Sequence, residues 1–284
     1  MTAENSLFRL KPIKEVSHVS LQNANKKFLP FSIKEYMDAL PADSRLYLPK
    51  DTDEKWLWDE RMFVVRKADY IEIEKLNGNR DYGSMREWTF IIITRGMRDS
   101  IMLDNCNSII AQKIPKFEII IVGADNNKTP AYERAGSKII KHIPFMEADS
   151  AGWITKKKNV GCKAARYDNL CVMHDDVVLA LDWYEKMKEW GNNWEACNCQ
   201  FLSNPTLCWF YEVDGFNKIL EPGDFDKRMY IGGHIILLKR FVWDKVKWNE
   251  KLFYGQREDV VYSWDLIKSG FLPRVCPAGI ILKG

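Results

Sequence analysis

The sequence has no apolar run approaching the ~20 residues of a membrane-spanning helix, and its first residues, MTAENSLFRLKPIKEV, carry no apolar signal core. No transmembrane segment is expected, and the expected location is cytoplasmic. No block of like charge exceeds the KKK at 156–158, and a net charge of +3 is small for 284 residues. That argues against a nucleic-acid partner and leaves phosphate-bearing small molecules. The seven cysteines are odd in number and lie mostly in apolar contexts. Cys197 and Cys199 share a strand face, but no second pair has metal-ligand spacing, so buried free thiols are expected rather than zinc. Histidine is scarce, with four residues at 18, 142, 174 and 234 and none later.

What is present is an ordinary globular composition, 46% hydrophobic and 29% charged. Residues 1–86 differ from the rest and read as an N-terminal accessory region. Pro12, Pro30, Pro41 and Pro49 punctuate short elements, and Ser32 with Glu35 forms a capping box for a short helix. Trp56 to Leu76 has the β-branched and aromatic content of one or two strands, and NGNRDYGS at 77–84 reads as a linker.

From Glu87 the pattern becomes regular. Trp88 to Thr94, Phe117 to Val122 and Ser137 to Ile143 read as buried strands. A helix with Met102, Cys106, Ile109 and Ile110 on one stripe lies between the first two, which makes a βαβ series with a parallel sheet. The stretch from Gly152 to Leu179 then gives a basic turn, a helix with Val160, Ala164 and Tyr167 on one face, a strand from Asn169 to His174, and the pair Asp175 and Asp176. Ligands of open α/β sheets bind beyond the carboxyl ends of the strands, so these carboxylates are the first candidates for chemistry. Asp182 is placed to cap a helix with Trp183, Met187 and Trp190. Past Gly191 the periodicity changes: Trp194 to Leu202 and Leu207 to Val213 read as strands, and MYIGGHIILLKR places a glycine pair before another. A final helix runs from Asp259 to Ser269, with Val260, Trp264 and Ile267 in one stripe and Gly270 as its stop. Read on their own, Glu258 and Asp259 are an N-terminal cap favoured by the helix dipole.

In order, a strand ending in Thr94-Arg95, a strand ending in GADNN, KKKNVG before a helix, VMHDDV, YIGGHIILLKR and GQREDVVYSWDLIKSGF resemble the family 2 glycosyltransferases. The resemblance covers about residues 87–282. It implies the GT-A fold, a Rossmann-like α/β architecture with a mixed, mostly parallel sheet flanked by helices. Residues 87–190 would be the nucleotide-binding half and 191–284 the acceptor and catalytic half.

By the same resemblance the activity is transfer of a sugar from a nucleotide-diphospho-sugar to an acceptor hydroxyl, with inversion. The leaving diphosphate calls for a divalent cation, Mn²⁺ or Mg²⁺, which suit oxygen ligands. The acidic motif maps onto His174, Asp175 and Asp176, with Asp176 as the direct metal ligand and Asp175 near the metal or ribose. His174 replaces the commoner first aspartate. Thr94, Arg95 and Asp125 would line the nucleotide pocket, although Gly123-Ala124 stands where the family has an acidic pair. Lys158 and Asn159 would lie beside the donor, Gly232 and Gly233 would let backbone approach the donor sugar with His234 adjacent, and Asp259 would be the general base with Glu258 beside it. The partners implied are a nucleotide-sugar, a UDP-sugar first among them, and a glycan or lipid-linked acceptor of polysaccharide biosynthesis. A late metal-binding His of related transferases has no counterpart, so either the chain is a fragment of a longer protein or that ligand comes from elsewhere. Two other readings stand beside this one. A sugar-phosphate nucleotidyltransferase would need a glycine-rich loop, and Thr94-Arg95-Gly96 offers one glycine. A degenerate GT-A binding protein would bind nucleotide weakly or not at all.

Overall fold

The computed structural model describes residues 9–11, 45–49, 62–66, 68–75, 81–124, 139–146, 152–202, 211–213, 216–218, 230–271 and 273–283. The expected helix after Ser32, Asp125 and part of the expected linker lie outside them. The chain divides into two compact units, residues 1–81 with 267–272, and residues 82–266 with 273–284.

The first unit contains a four-stranded antiparallel sheet of β1 (Arg9–Lys11), β2 (Arg45–Pro49), β3 (Met62–Arg66) and β4 (Tyr70–Lys75), in the order β1-β2-β4-β3. Leu48, Ile71 and Ile73 alternate inward along it, as expected of a sheet with one covered face.

The second unit is built on eight strands. In chain order these are β5 (Glu87–Ile93), β6 (Lys116–Gly123), β7 (Ile140–Pro144), β8 (Asn169–His174), β9 (Val177–Leu179), β10 (Ala196–Phe201), β13 (Ile235–Lys239) and β14 (Pro273–Leu282). A separate hairpin pairs β11 (Tyr211–Val213) with β12 (Phe216–Lys218). The sheet order is β7-β6-β5-β8-β13-β10-β14-β9. β7, β6, β5 and β8 run parallel, while β13 is antiparallel to β8 and β10. The uninterrupted apolar runs FIII, IIIV, LCVM and IILL are buried on both faces, where each fully enclosed Ile or Leu contributes about 1.5–3 kcal/mol.

Among the described residues five helices accompany the sheet: α1 (Asp99–Ala111), α2 (Ile154–Ala164), α3 (Trp183–Trp190), α4 (Arg240–Lys245) and α5 (Glu258–Lys268). α1 buries Met102, Cys106 and Ile109 as the periodicity predicts, with Ile110 half-buried. α3 buries Trp183 and Met187, and Trp183 meets Trp88 edge-on at 5.0 Å in an aromatic cluster that includes Phe90 and Trp194. Asp182 makes no capping bond to the α3 backbone; its carboxylate pairs with Lys186 at 3.1 Å instead. Six cysteines, at 106, 162, 171, 197, 199 and 276, are free and buried.

Two further sequence expectations are corrected. α2 begins at Ile154, so KKK lies inside the helix rather than in a turn. Its buried side carries Thr155, Lys157, Lys158 and Asn159 as well as Ile154 and Cys162, whereas Val160 and Ala164 are half-buried and Tyr167 lies beyond the helix end. Long polar side chains here reach past the strand ends to backbone oxygens, which apolar periodicity does not register. α5 likewise faces inward with Glu258, Tyr262, Ser263 and Leu266 and leaves Trp264 50% exposed. Its inner face is fixed by Tyr262, stacked on Trp248 at 4.1 Å, and by Ser263, which accepts from Ile231 N–H and donates to Asp259 C=O. Finally, the C-terminal stretch forms β14 between β10 and β9, with Pro277 accommodated at a register irregularity opposite Asn198 to Gln200.

Candidate functional site

Because β5, β6 and β8 are parallel, their carboxyl ends meet at one edge, and the antiparallel β13 begins there. The register pairs Ile93 with Val122 and His174, and Ile235 with Met173. A cavity of about 270 Å³ opens beyond this edge. Thr94, Arg95, Met97 and Arg98 line it after β5, His174, Asp175 and Asp176 after β8, His234 before β13, Gly152, Ile154 and Lys157 around the start of α2, and Tyr254 at its rim. α2 comes this close because Gly161 lies against β5, where a Cβ would fall 2.2 Å from Ile91 Cγ2.

Side-chain hydrogen bonds fix the floor. Thr94 Oγ1 donates to Asp175 Oδ2 at 2.6 Å and accepts from Gly96 N–H at 2.9 Å. Lys157 Nζ donates to Thr94 C=O at 2.8 Å. Burial, followed by the nearby Arg95 charge, lowers the Lys157 ammonium to a pKa of about 8. Burial also raises the Asp175 carboxyl, with the Thr94 hydrogen bond opposing and Asp176 adding. Arg98 Nη1 donates to Asp176 Oδ2 at 2.5 Å and lies 3.8 Å from Asp175 Oδ1. The Asp176 hydrogen bond holds the Arg98 guanidinium above its ordinary pKa.

On the other side of Asp176 stand two imidazoles. His174 N–H donates to His234 C=O at 2.9 Å, and the two rings meet edge-on at 5.2 Å. His234 Nδ1 is 4.0 Å from Asp176 Oδ1. His174 Nε2, Asp176 Oδ1 and His234 Nδ1 are each buried without a hydrogen-bond partner. Burial, with the Lys158 charge, holds the His174 imidazole well below its ordinary pKa and therefore neutral.

The glycine pair links this cluster to α5. Gly233 N–H donates to Asp259 Oδ2 at 3.1 Å, and a Cβ on Gly233 would fall 3.2 Å from Glu258 Oε1. Lys158, with 1% of its side chain exposed, points its Nζ at Gly233 C=O (3.4 Å) and Glu258 Oε1 (3.6 Å). Burial lowers its pKa, opposed by Glu258 and Asp259. Arg257, just before the acidic pair, is left-handed at φ 57°, a rare conformation for a side-chain-bearing residue.

No family profile and no curated protein matches the sequence. Solved structures do match the fold. S. aureus TarS 1–349 superposes with a TM-score of 0.51 at 12% identity, over 69% of this chain and 60% of that one. The same protein in complex with UDP-GlcNAc gives 0.51 at 13% over 70% and 59%. GalNAc-T7 with UDP, GalNAc and Mn²⁺ gives 0.53 at 12% over 69% and 43%. These are glycosyltransferases of GT-A architecture. The chain has the GT-A fold. It spans at most 60% of the length of these structures.

Within the GT-A frame, Thr94, Arg95, His174, Asp175, Asp176 and His234 come together in one cavity, and Asp125 lies outside the described residues. Glu258, Asp259, Gly232, Gly233 and Lys158 form a neighbouring group that does not line the cavity. Gly232 is held by Asn198, whose Nδ2 donates to its C=O at 3.4 Å. Asn159 is directed elsewhere: its amide donates to Trp248 C=O and Glu250, and accepts from Trp243 Nε1 and Trp248 N–H. Arg98 and Lys157 are residues the sequence did not single out. Arg98 carries no pattern signal, and Lys157 lies in a KKK run that reads as a turn.

Proposed function

We propose that the chain is a glycosyltransferase that holds a nucleotide-diphospho-sugar, a UDP-sugar first among candidates, in the cavity beyond β5 and β8 and transfers the sugar to an acceptor hydroxyl with inversion. The observation that carries this reading is the convergence of Arg95, Arg98 and Lys157 with Asp175, Asp176, His174 and His234 at the carboxyl edge of a GT-A sheet. Three cationic side chains suit a diphosphate, and those held in fixed geometry stabilise charge as it develops on the leaving group. UDP and UDP-GlcNAc are the nucleotides bound in the GT-A structures compared above.

A divalent cation fits the three unpartnered atoms of His174, Asp176 and His234, and when bound would supply Lewis-acid stabilisation of the leaving diphosphate. The remaining work falls to the chain. Thr94 and Arg98 orient the two aspartates. Asp259, held by the N–H groups of Gly233 and Val260, keeps a further lone pair on each oxygen to accept the acceptor's proton as its oxygen attacks the anomeric carbon from the side opposite the diphosphate. Lys158 and Glu258 brace the Gly233 peptide beneath it.

The test is release of UDP from UDP-GlcNAc and other UDP-sugars in the presence of Mn²⁺ and candidate glycan acceptors. Asp259→Asn is expected to bind donor as the wild type does and to lose about 10²–10⁴ in turnover. Undiminished turnover in Asp259→Asn removes it as the base.

A further inference from the structure

A second cavity opens at the opposite edge of the sheet. Arg86 stands directly before β5, Pro115 directly before β6 and Leu181 just past β9, and these line a space of about 460 Å³ together with the end of α1 and residues of α3. The thirteen residues of α1 run about 20 Å, from Arg98 at the first cavity to Lys113 at the second. The wall is braced by Gln112, which is buried. Its Nε2 donates to Ala180 C=O at 2.9 Å and its Oε1 accepts from Tyr184 N–H at 3.0 Å, which ties the end of α1 to both ends of the turn around Leu181.

Three cations line this space, Arg86, Lys113 and Lys188, against one carboxylate, Glu185. Lys188 Nζ pairs with Glu185 Oε2 at 2.7 Å. Arg86 and Lys113 have no ion-pair or side-chain hydrogen-bond partner among the described residues. Tyr184 also lines the cavity. Only 4% of it is exposed, and its hydroxyl makes no hydrogen bond among the described residues. Burial raises the pKa of that hydroxyl while the Lys188 and Arg86 charges oppose the rise, so both cations act on the same atom, which keeps its proton and can donate it. The basic character is confined to the cavity. Outside it Asp182 and Glu189 outweigh Lys186 around the same helix, which leaves the outer face of α3 no excess of positive charge for an anionic membrane. Inside, three cations less one carboxylate leave two positive charges, the complement of a phosphate dianion.

We propose that this cavity binds a phosphate group, free or carried on a small organic molecule, through the Arg86 guanidinium, the Lys113 and Lys188 ammonium groups and the Tyr184 hydroxyl. The site goes beyond the transferase reading and does not depend on it. A guanidinium can donate to two phosphate oxygens at once, and each lysine acts as a point charge. The volume falls within the range of about 300–1,000 Å³ usual for small-molecule pockets, which leaves room beyond the phosphate for an organic group beside Leu181 and Pro115.

Calorimetric titration of the full chain with inorganic phosphate and with phenyl phosphate, at about pH 8 where both are largely dianions, tests the site. Affinity is expected to fall at least about tenfold in the double variant Arg86→Gln with Lys113→Gln, and about two- to tenfold in Tyr184→Phe. It is expected to stay within about twofold of wild type in Lys157→Met, whose side chain belongs to the other cavity. Arg86 and Lys113 are both exposed, so the double variant is expected to unfold as the wild type does and to bind UDP unchanged. Tighter binding of phenyl phosphate supports an organic phosphate as the ligand, and inorganic phosphate binding as tightly or more tightly supports the free anion. Binding of neither probe, or binding lost in Lys157→Met and kept in the double variant, overturns the proposal.

Discussion

Gly123 lies so close to Thr94 that a Cβ placed on it would fall 2.3 Å from the Thr94 carbonyl oxygen and 2.6 Å from its Cγ2. Thr94 is the residue that orients Asp175 and accepts from Lys157. That position 123, the last of β6, holds glycine rather than an acidic residue therefore has a steric cause: no side chain fits there while Thr94 keeps its place. Gly123→Ala is expected to destabilise the fold by about 1–3 kcal/mol in urea unfolding and to weaken UDP binding through the displaced Thr94. A loss below about 0.5 kcal/mol, in the range of ordinary surface substitutions, contradicts this.

Lys158 and Lys157 are adjacent yet should fail in different ways. Lys158→Met leaves Glu258 buried without its cation and is expected to cost about 3–5 kcal/mol, recovered in large part by Lys158→Met with Glu258→Gln. Lys157→Met removes a cavity cation and is expected to weaken UDP binding with little loss of stability. Parallel unfolding and calorimetric titration of these variants decide between the two roles. Equal stability losses in both single variants contradict it.

The lowered Lys157 pKa, about 8, predicts a pH signature. Above that pH the free protein carries a neutral amine at this position, and a diphosphate must restore its proton to gain the charge. Affinity for UDP-GlcNAc, whose diphosphate charge is fixed, is therefore expected to fall as pH rises through about 8, and Lys157→Arg, charged throughout, to flatten that fall. The sign for stability is the opposite. Because the folded pKa lies below the unfolded one, the burden of burying the charge is present below about pH 8 and is relieved as pH rises toward the ordinary lysine value near 10.5. A binding profile identical in wild type and Lys157→Arg contradicts the assignment.

Gly161→Ala tests the seat of α2. Its Cβ would meet Ile91 Cγ2 at 2.2 Å, and Ile91 is fully buried, so the helix must lift. The expected result is about 1–3 kcal/mol of destabilisation together with weaker nucleotide binding, because Lys157 rides on the same helix. Spectra and stability unchanged from wild type contradict it.

The parts of the fold legible in the sequence are those where local chemistry and burial agree. β5, β6 and β8 are long apolar runs with no competing signal, and their common carboxyl edge followed directly from the βαβ order. Legibility fails where polar side chains face inward. Lys157, Lys158 and Asn159 occupy the inner side of α2 because backbone oxygens of Thr94, Gly233 and Trp248 await them, and no pattern in one helix reports on carbonyls in other segments. The inward face of α5 was missed for the same reason, since Ser263 is buried by what it bonds to rather than by its own polarity. β14 was obscured by Pro273, Pro277 and Gly279, residues that weaken strand propensity but are tolerated at an irregular register. The site was half legible. Asp175 and Asp176 stand out by position, whereas His234 joins them only because β13 runs antiparallel beside β8, and Arg98 only because α1 starts over the end of β5.

Binding of a nucleoside diphosphate in the cavity beyond β5 and β8 is measured by thermal unfolding with and without UDP, in parallel with GDP, TDP and CMP and with and without Mn²⁺. A ligand selective for the folded state adds about 2.7 kcal/mol at a hundredfold excess over its dissociation constant, a shift of several degrees in Tm. The expected result is a UDP shift that grows with Mn²⁺, shrinks in Lys157→Met and loses its Mn²⁺ dependence in Asp176→Ala. No shift with any nucleotide, with or without the metal, contradicts it.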